Sequence, residues 1–149
     1  MSETPQQKAD ALLEATLQAT GARDPREFYR ERLKELRAES VSGYEKAVAH
    51  YTSTLIPSIV DGVNPLDAWT EYGRTLAQLR APGRTVCIDA TGRSEPWAFP
   101  PKAGSLILHL PEEKRKKALI VGLPSELSDA QRSTWEWLVS GKLKLKDAD

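Results

Sequence analysis

Cys87 and Asp89 stand two residues apart in the short apolar segment 85–90 (TVCIDA). In an extended chain alternate residues share a face, so this thiol and this carboxylate would point the same way. His109 lies in a second apolar run, 105–110. Antiparallel pairing of the two runs would bring thiol, imidazole and carboxylate together. That is the arrangement in which an imidazole takes the thiol proton and creates a nucleophile. No local signature of a thiol enzyme surrounds these residues, and each has a structural role that suits it. A free cysteine serves as a small buried filler, and His109 would end a strand beside a hairpin loop. The expectation is a non-enzymatic protein with no catalytic residue.

Metal chemistry has less to work with. His50 and His109 are the two histidines, and Cys87 is the one cysteine. Multi-thiolate zinc sites and an intramolecular disulfide are therefore excluded, and no His-x-x-x-His or Glu-x-x-His spacing occurs. His50 is expected half-buried and bonded to a neighbour. No dinucleotide fingerprint, P-loop or nucleophile elbow is present, so no metal and no cofactor are expected.

Three groups of residues could instead bind. The first is Trp97 and Phe99 inside SEPWAFPPK (94–102), which holds three prolines. An extended proline-flanked segment loses little entropy on docking, and Trp is enriched at binding hot spots. Trp135 belongs with it: Trp135 and Trp137 lie about 200° apart on a helix, so one of them should face a groove or interface. The competing role is a lid over the chain's own core. The second group is basic. Lys114, Arg115, Lys116 and Lys117 form a loop that Lys142, Lys144 and Lys146 could join, and Arg26, Arg30, Lys34 and Arg37 form a helical stripe. Such clusters contact phosphates, yet Glu112, Glu113 and the glutamates beside the stripe offset them. With 21 basic and 21 acidic residues the formal net charge is zero, which disfavours a general polyanion binder. The third group is Tyr44, Tyr51, Trp69 and Tyr72, which could line an apolar ligand pocket between helices and sheet, or simply be core.

The elements that must position these residues are marked by their punctuation. Capping residues followed by helix starters open four segments at Thr4-Pro5, Asp24-Pro25, Ser42-Gly43 and Asn64-Pro65. Gly21, Gly62 and Gly83 stand where helices should close. The spacing predicts helices over about 5–20, 25–38, from near 43, and 65–80. Apolar stripes run through Ala9, Leu12, Leu13, Thr16 and Leu17; through Tyr29, Leu33 and Leu36; and through Leu66, Trp69, Tyr72, Leu76 and Leu79. In the third helix the stripe is Tyr44, Val48, Tyr51, Leu55 and Ile59, and Pro57 should kink or break it near 55–58. Gly73, inside a core face, implies that another element comes close there.

After residue 81 the period changes. Strands are predicted over 85–90, 105–110 and 118–123, with 94–102 irregular or an edge strand at best. The loop PEEKRKK makes the last two a hairpin. A capping box at Ser128-Asp129-Ala130-Gln131 opens a final helix to about 139, with Gly141 as its stop and the alternating Lys/Leu tail beyond it. The order predicts an α+β protein in a single domain: a bundle of about four helices (1–80), then a three-stranded antiparallel meander and a C-terminal helix (84–149). No apolar run reaches the ~20 residues of a membrane span, and the N-terminus lacks the basic and apolar stretches of a signal peptide. The expectation is a soluble cytoplasmic protein that associates with another protein or with itself. A nucleic-acid-binding accessory protein and a small-molecule binder or enzyme are the alternatives.

Overall fold

The computed structural model describes residues 3–102, 104–113, 118–122, 124 and 126–139, apart from the side chains of Trp137 and Val139. The predicted basic loop Lys114–Lys117, the lysines of the tail and Gly141 lie outside the described residues. The fold is α+β: helices dominate the N-terminal part, and an antiparallel sheet and a further helix follow. The chain divides into two compact units, Met1–Arg80 and Ala81–Asp149. No helix among the described residues is long and apolar enough to cross a membrane.

The helical unit follows its caps. Helix α1 (Pro5–Thr20) opens with a full capping box. The Gln7 amide donates to Thr4 Oγ1 at 3.1 Å, and the Thr4 amide donates to Gln7 Oε1 at 2.9 Å. Gly21 closes it at φ 68°, in the left-handed region that costs glycine little. Helix α2 (Pro25–Glu39) is capped by Asp24, which accepts from the Arg26 amide at 2.9 Å. Helix α3 (Val41–His50) starts two residues before its predicted opener. Its cap is Ser40, not Ser42, and Ser40 Oγ accepts from the Gly43 amide at 3.0 Å. One extended residue, Ser40 itself, ends α2 and starts α3, so no loop separates them.

The predicted break before Pro57 takes a specific form. Tyr51–Leu55 is a π-helical turn, in which the Ile56 amide donates to the carbonyl of Tyr51 five residues back. Helix α4 (Ile56–Val60) follows, with Pro57 in its first turn, where a missing N–H costs nothing. Asn64 accepts from the Leu66 amide at 2.9 Å and starts helix α5 (Pro65–Arg80). The core of this unit joins Ala9 and Leu13 of α1, Tyr29 and Leu36 of α2, Ala47 of α3, Leu55, Ile56 and Ile59, and the α5 face of Ala68, Trp69, Tyr72 and Leu76. The element that approaches Gly73 is α2: a Cβ there would lie 2.7 Å from the Tyr29 hydroxyl.

Among the described residues the second unit is a four-stranded antiparallel sheet in the order β2-β1-β3-β4, with helix α6 (Asp129–Val139). The strands are β1 (Gly83–Ile88), β2 (Ser94–Pro96), β3 (Leu106–Pro111) and β4 (Leu119–Gly122). The meander of three is thus extended by β2, an edge position that tolerates Pro96. Strand β1 begins two residues early. Gly83, expected to close α5, instead pairs with Pro111, and a Cβ on it would come within 2.8 Å of the His109 ring. The strand also ends early, because Asp89 turns the chain: its amide donates to the Arg93 carbonyl and its carbonyl accepts from Gly92, at φ 88°. The β3–β4 pairing carries an irregularity between Ile107 and Leu108.

Helix α6 is stitched to the sheet by polar groups. Ser128 and Gln131 form the capping box foreseen from sequence. Gln131, 1 % exposed, also donates from Nε2 to the carbonyls of Ile88 (3.0 Å) and Gly104 (2.8 Å). Ser128 Oγ donates to Ala90 O and Thr134 Oγ1 to Gly92 O, so the β1–β2 turn is held from one helix face.

Candidate functional site

The thiol and the imidazole share one sheet face and the carboxylate lies just past the end of β1, but each is committed to structure. Thr85, not Cys87, stands opposite His109. The Thr85 hydroxyl and His109 Nδ1 are 3.2 Å apart, and His109 Nε2 lies 2.7 Å from the Ala81 carbonyl. A carbonyl can only accept, so Nε2 carries the proton and Nδ1 accepts from Thr85. The ring is 0 % exposed and both nitrogens are engaged. Burial pushes the Cys87 thiol above its ordinary range, against a smaller opposing effect of the Ala98 backbone, so the thiolate is disfavoured. Asp89 folds the turn: the Thr91 and Arg93 amides both donate to Oδ1 at 3.0 Å, and the Thr91 hydroxyl donates to it as well.

The bond from the Thr91 side chain, more than any other contact, holds the Asp89 carboxyl below the usual carboxylate range. A depressed carboxyl stabilises the fold at pH values above its unfolded value, about 4, and that contribution is lost as the pH falls through its lower folded value. Asp89→Asn keeps the acceptor without the charge. The Tm advantage of the parent over this variant should therefore shrink between pH 7 and pH 3. An advantage that does not change with pH would show that the carboxylate charge contributes nothing to the turn.

His50 departs from expectation. It is half-buried and its ring stacks on Tyr72 at 5.8 Å, but Nδ1 is buried and finds no partner. Among the described residues no group of three His, Cys, Asp or Glu side chains is placed to hold a metal ion.

Three of the four aromatics considered for a ligand pocket pack on one another. Trp69 and Tyr72 are buried, with ring centres 5.8 Å apart, and Tyr51 lies 5.9 Å from each. The Tyr72 hydroxyl donates to the Ala47 carbonyl at 2.9 Å. Tyr44 is half-buried beneath the Arg37 guanidinium, 5.4 Å from its ring centre. Three residues of the basic stripe, Arg26, Lys34 and Arg37, are engaged within the chain. Arg26 bonds Asp24 and Glu14, and Lys34 pairs with Glu31 at 3.2 Å. Sequence spacing placed the stripe and the glutamates beside it but not Glu14, which comes from another helix.

The proline-flanked segment is different. Strand β2 pairs Glu95 with Cys87 and Pro96 with Val86, and the Trp97 amide extends the ladder by donating to Thr85 O at 2.9 Å. Trp97 is then half-buried. Beyond it the chain leaves the sheet, and Ala98, Phe99 and Pro100 are exposed, Phe99 by 47 %. A shallow groove of about 110 Å³ runs beside the segment, with Cys87, Glu95, Pro96, Ala98, Pro100 and Lys102 in its walls. That volume is well below the roughly 300–1,000 Å³ of a small-molecule site and suits a single side chain. Glu95 lies 3.5 Å from Arg93 and 3.6 Å from Lys102, solvent-facing pairs that fix little by themselves. Trp135, grouped with Trp97 and Phe99 from sequence, is 3 % exposed, and its indole N–H finds no partner. The residue that spacing could not resolve is Gln131, legible as a cap but not as the tie to β1.

No family model matches this chain, and neither a curated protein nor a solved structure matches it.

Proposed function

We propose that this chain is a cytoplasmic protein-interaction module that recognises a partner protein, or a second copy of itself, through segment 96–101. The observation behind this reading is Phe99, a large apolar ring held 47 % exposed among prolines just beyond the outer strand of the sheet. The half-buried Trp97 anchors the segment, the adjoining groove offers a side-chain-sized notch, and the two charge pairs at Glu95 form a polar rim. A central aromatic with a polar rim is the usual make-up of a protein-binding patch.

The test separates binding from folding. Phe99 is about half exposed, so Phe99→Ala should change stability by about 1 kcal/mol or less. Association should weaken about tenfold or more, the loss expected of a hot-spot aromatic. Self-association is read by sedimentation equilibrium, and capture of a stoichiometric partner is compared between parent and variant after nuclease treatment. Unchanged association in both assays would refute the reading. A large drop in Tm would reassign Phe99 to covering the core.

A further inference from the structure

Sequence and structure disagree about the register of the third helix. Tyr44, Val48, Tyr51, Leu55 and Ile59 form one face of an unbroken α-helix. In the structure the buried positions are Gly43, Ala47, Leu55, Ile56 and Ile59, while Val48 is 41 % exposed and Val41 62 %. The π turn at Tyr51–Leu55 accounts for the offset. It absorbs one extra residue, which rotates everything before it by about 100°. Without that residue, Val48 would take the place of Ala47, and Tyr44 the place of Gly43.

Two features favour the observed register. Gly43 and Ala47 are small enough for α3 to lie close to α2: a Cβ at Gly43 would already stand 3.2 Å from Leu36 Cδ1. Pro57 would clash with the Ser53 carbonyl in an unbroken α-helix, and the widened turn relieves this. Two features oppose it. Val41 and Val48 remain in solvent, and His50, at the junction with the π turn, keeps a buried Nδ1 without a partner.

We infer that α3 is a two-register element pinned by Pro57. In its second state the extra residue has moved out of the Tyr51–Leu55 turn towards Ser40, and α3 has turned by one residue. Tyr44 and Val48 then face α5 and α2, α2 has yielded to the larger side chains, and Gly43 and Ala47 face solvent. The device exchanges one surface of α3 for another without unfolding the helix, and it stands independently of the interaction reading above.

The test is thiol labelling at single sites, read by peptide mass to separate them from Cys87. Ala47→Cys should label about tenfold or more faster than Ala68→Cys, a buried α5 site that reports global opening. Adding Val48→Asp should slow position 47 to the global rate, because the second register would bury the charge, whereas the first leaves it in water. Adding Pro57→Ala should quicken it. Equal rates at 47 and 68 would overturn the inference. So would fast labelling that Val48→Asp leaves untouched, since simple fraying needs no rotation. If Ala47→Cys does not fold, amide hydrogen exchange over residues 47–56 in Val48→Asp and Pro57→Ala gives the same comparison: slower in the first and faster in the second supports the device, and any other order overturns it.

Discussion

Gln131→Leu is expected to cost about 3–5 kcal/mol, although leucine fills nearly the same volume. Gln131 is 1 % exposed, and its amide meets three backbone groups: it donates to Ile88 O and Gly104 O and accepts from the Ser128 amide. Leucine leaves those groups without partners, at about 1–3 kcal/mol for each that stays out of water. Ser128→Ala provides the scale, since it removes the cap and the bond to Ala90 O, at about 1 kcal/mol each. Urea unfolding of both variants decides the matter. If Gln131→Leu is no worse than Ser128→Ala, the bonds to the sheet carry no energy and Gln131 is only a cap.

The second large effect belongs to Gly73→Ala, and its direction opposes helix propensity. In an exposed helix this change gains about 1 kcal/mol. Here the new methyl would lie 2.5 Å from Tyr29 Cε1 and 2.7 Å from both Cζ and the hydroxyl oxygen. Tyr29 has no room to retreat. It is buried, stacked on Trp69 at 5.9 Å and edge-on to Phe28 at 5.0 Å. Overpacking of this kind costs about 1–3 kcal/mol, so after the propensity gain a net loss of up to about 2 kcal/mol is expected. Tyr29→Leu should recover part of it in the double variant, a coupling that independent sites would not show. A higher Tm for Gly73→Ala would mean that α2 and α5 do not meet at this glycine.

The helix starts were legible because capping is local. Thr4, Asp24 and Asn64 each bond an amide within three residues, and such bonds need no knowledge of the rest of the fold. Ser40 and Ser42 are equally good caps by type, and only the end of α2 chose between them. Gly83 misled for a related reason. A glycine after a helix suggests a left-handed stop, but this one was needed for close approach to the His109 ring.

The candidate chemistry was legible as residue types and not as partners. Alternation put Cys87 and Asp89 on one face, but strand register decided that Thr85 would meet His109. Register is set by which apolar positions the whole sheet can bury, a property of several strands together. The same limit applies to Trp97 and Phe99. Both read as aromatics among prolines; the ladder bond at Trp97 then held one half-buried, and the chain's departure from the sheet left the other in solvent.

By itself, then, the amino-acid sequence determined the α+β order, the caps, the strand-bearing segments and the exclusion of disulfide and multi-thiolate chemistry, all of which rest on contacts within a few residues or on composition. Tertiary structure alone decided which face of α3 is buried, what lies against Gly73, where the Gln131 amide bonds and which aromatic of the proline-flanked segment stands exposed. Each of those depends on a partner far along the chain, and only the packing of several elements at once selects it.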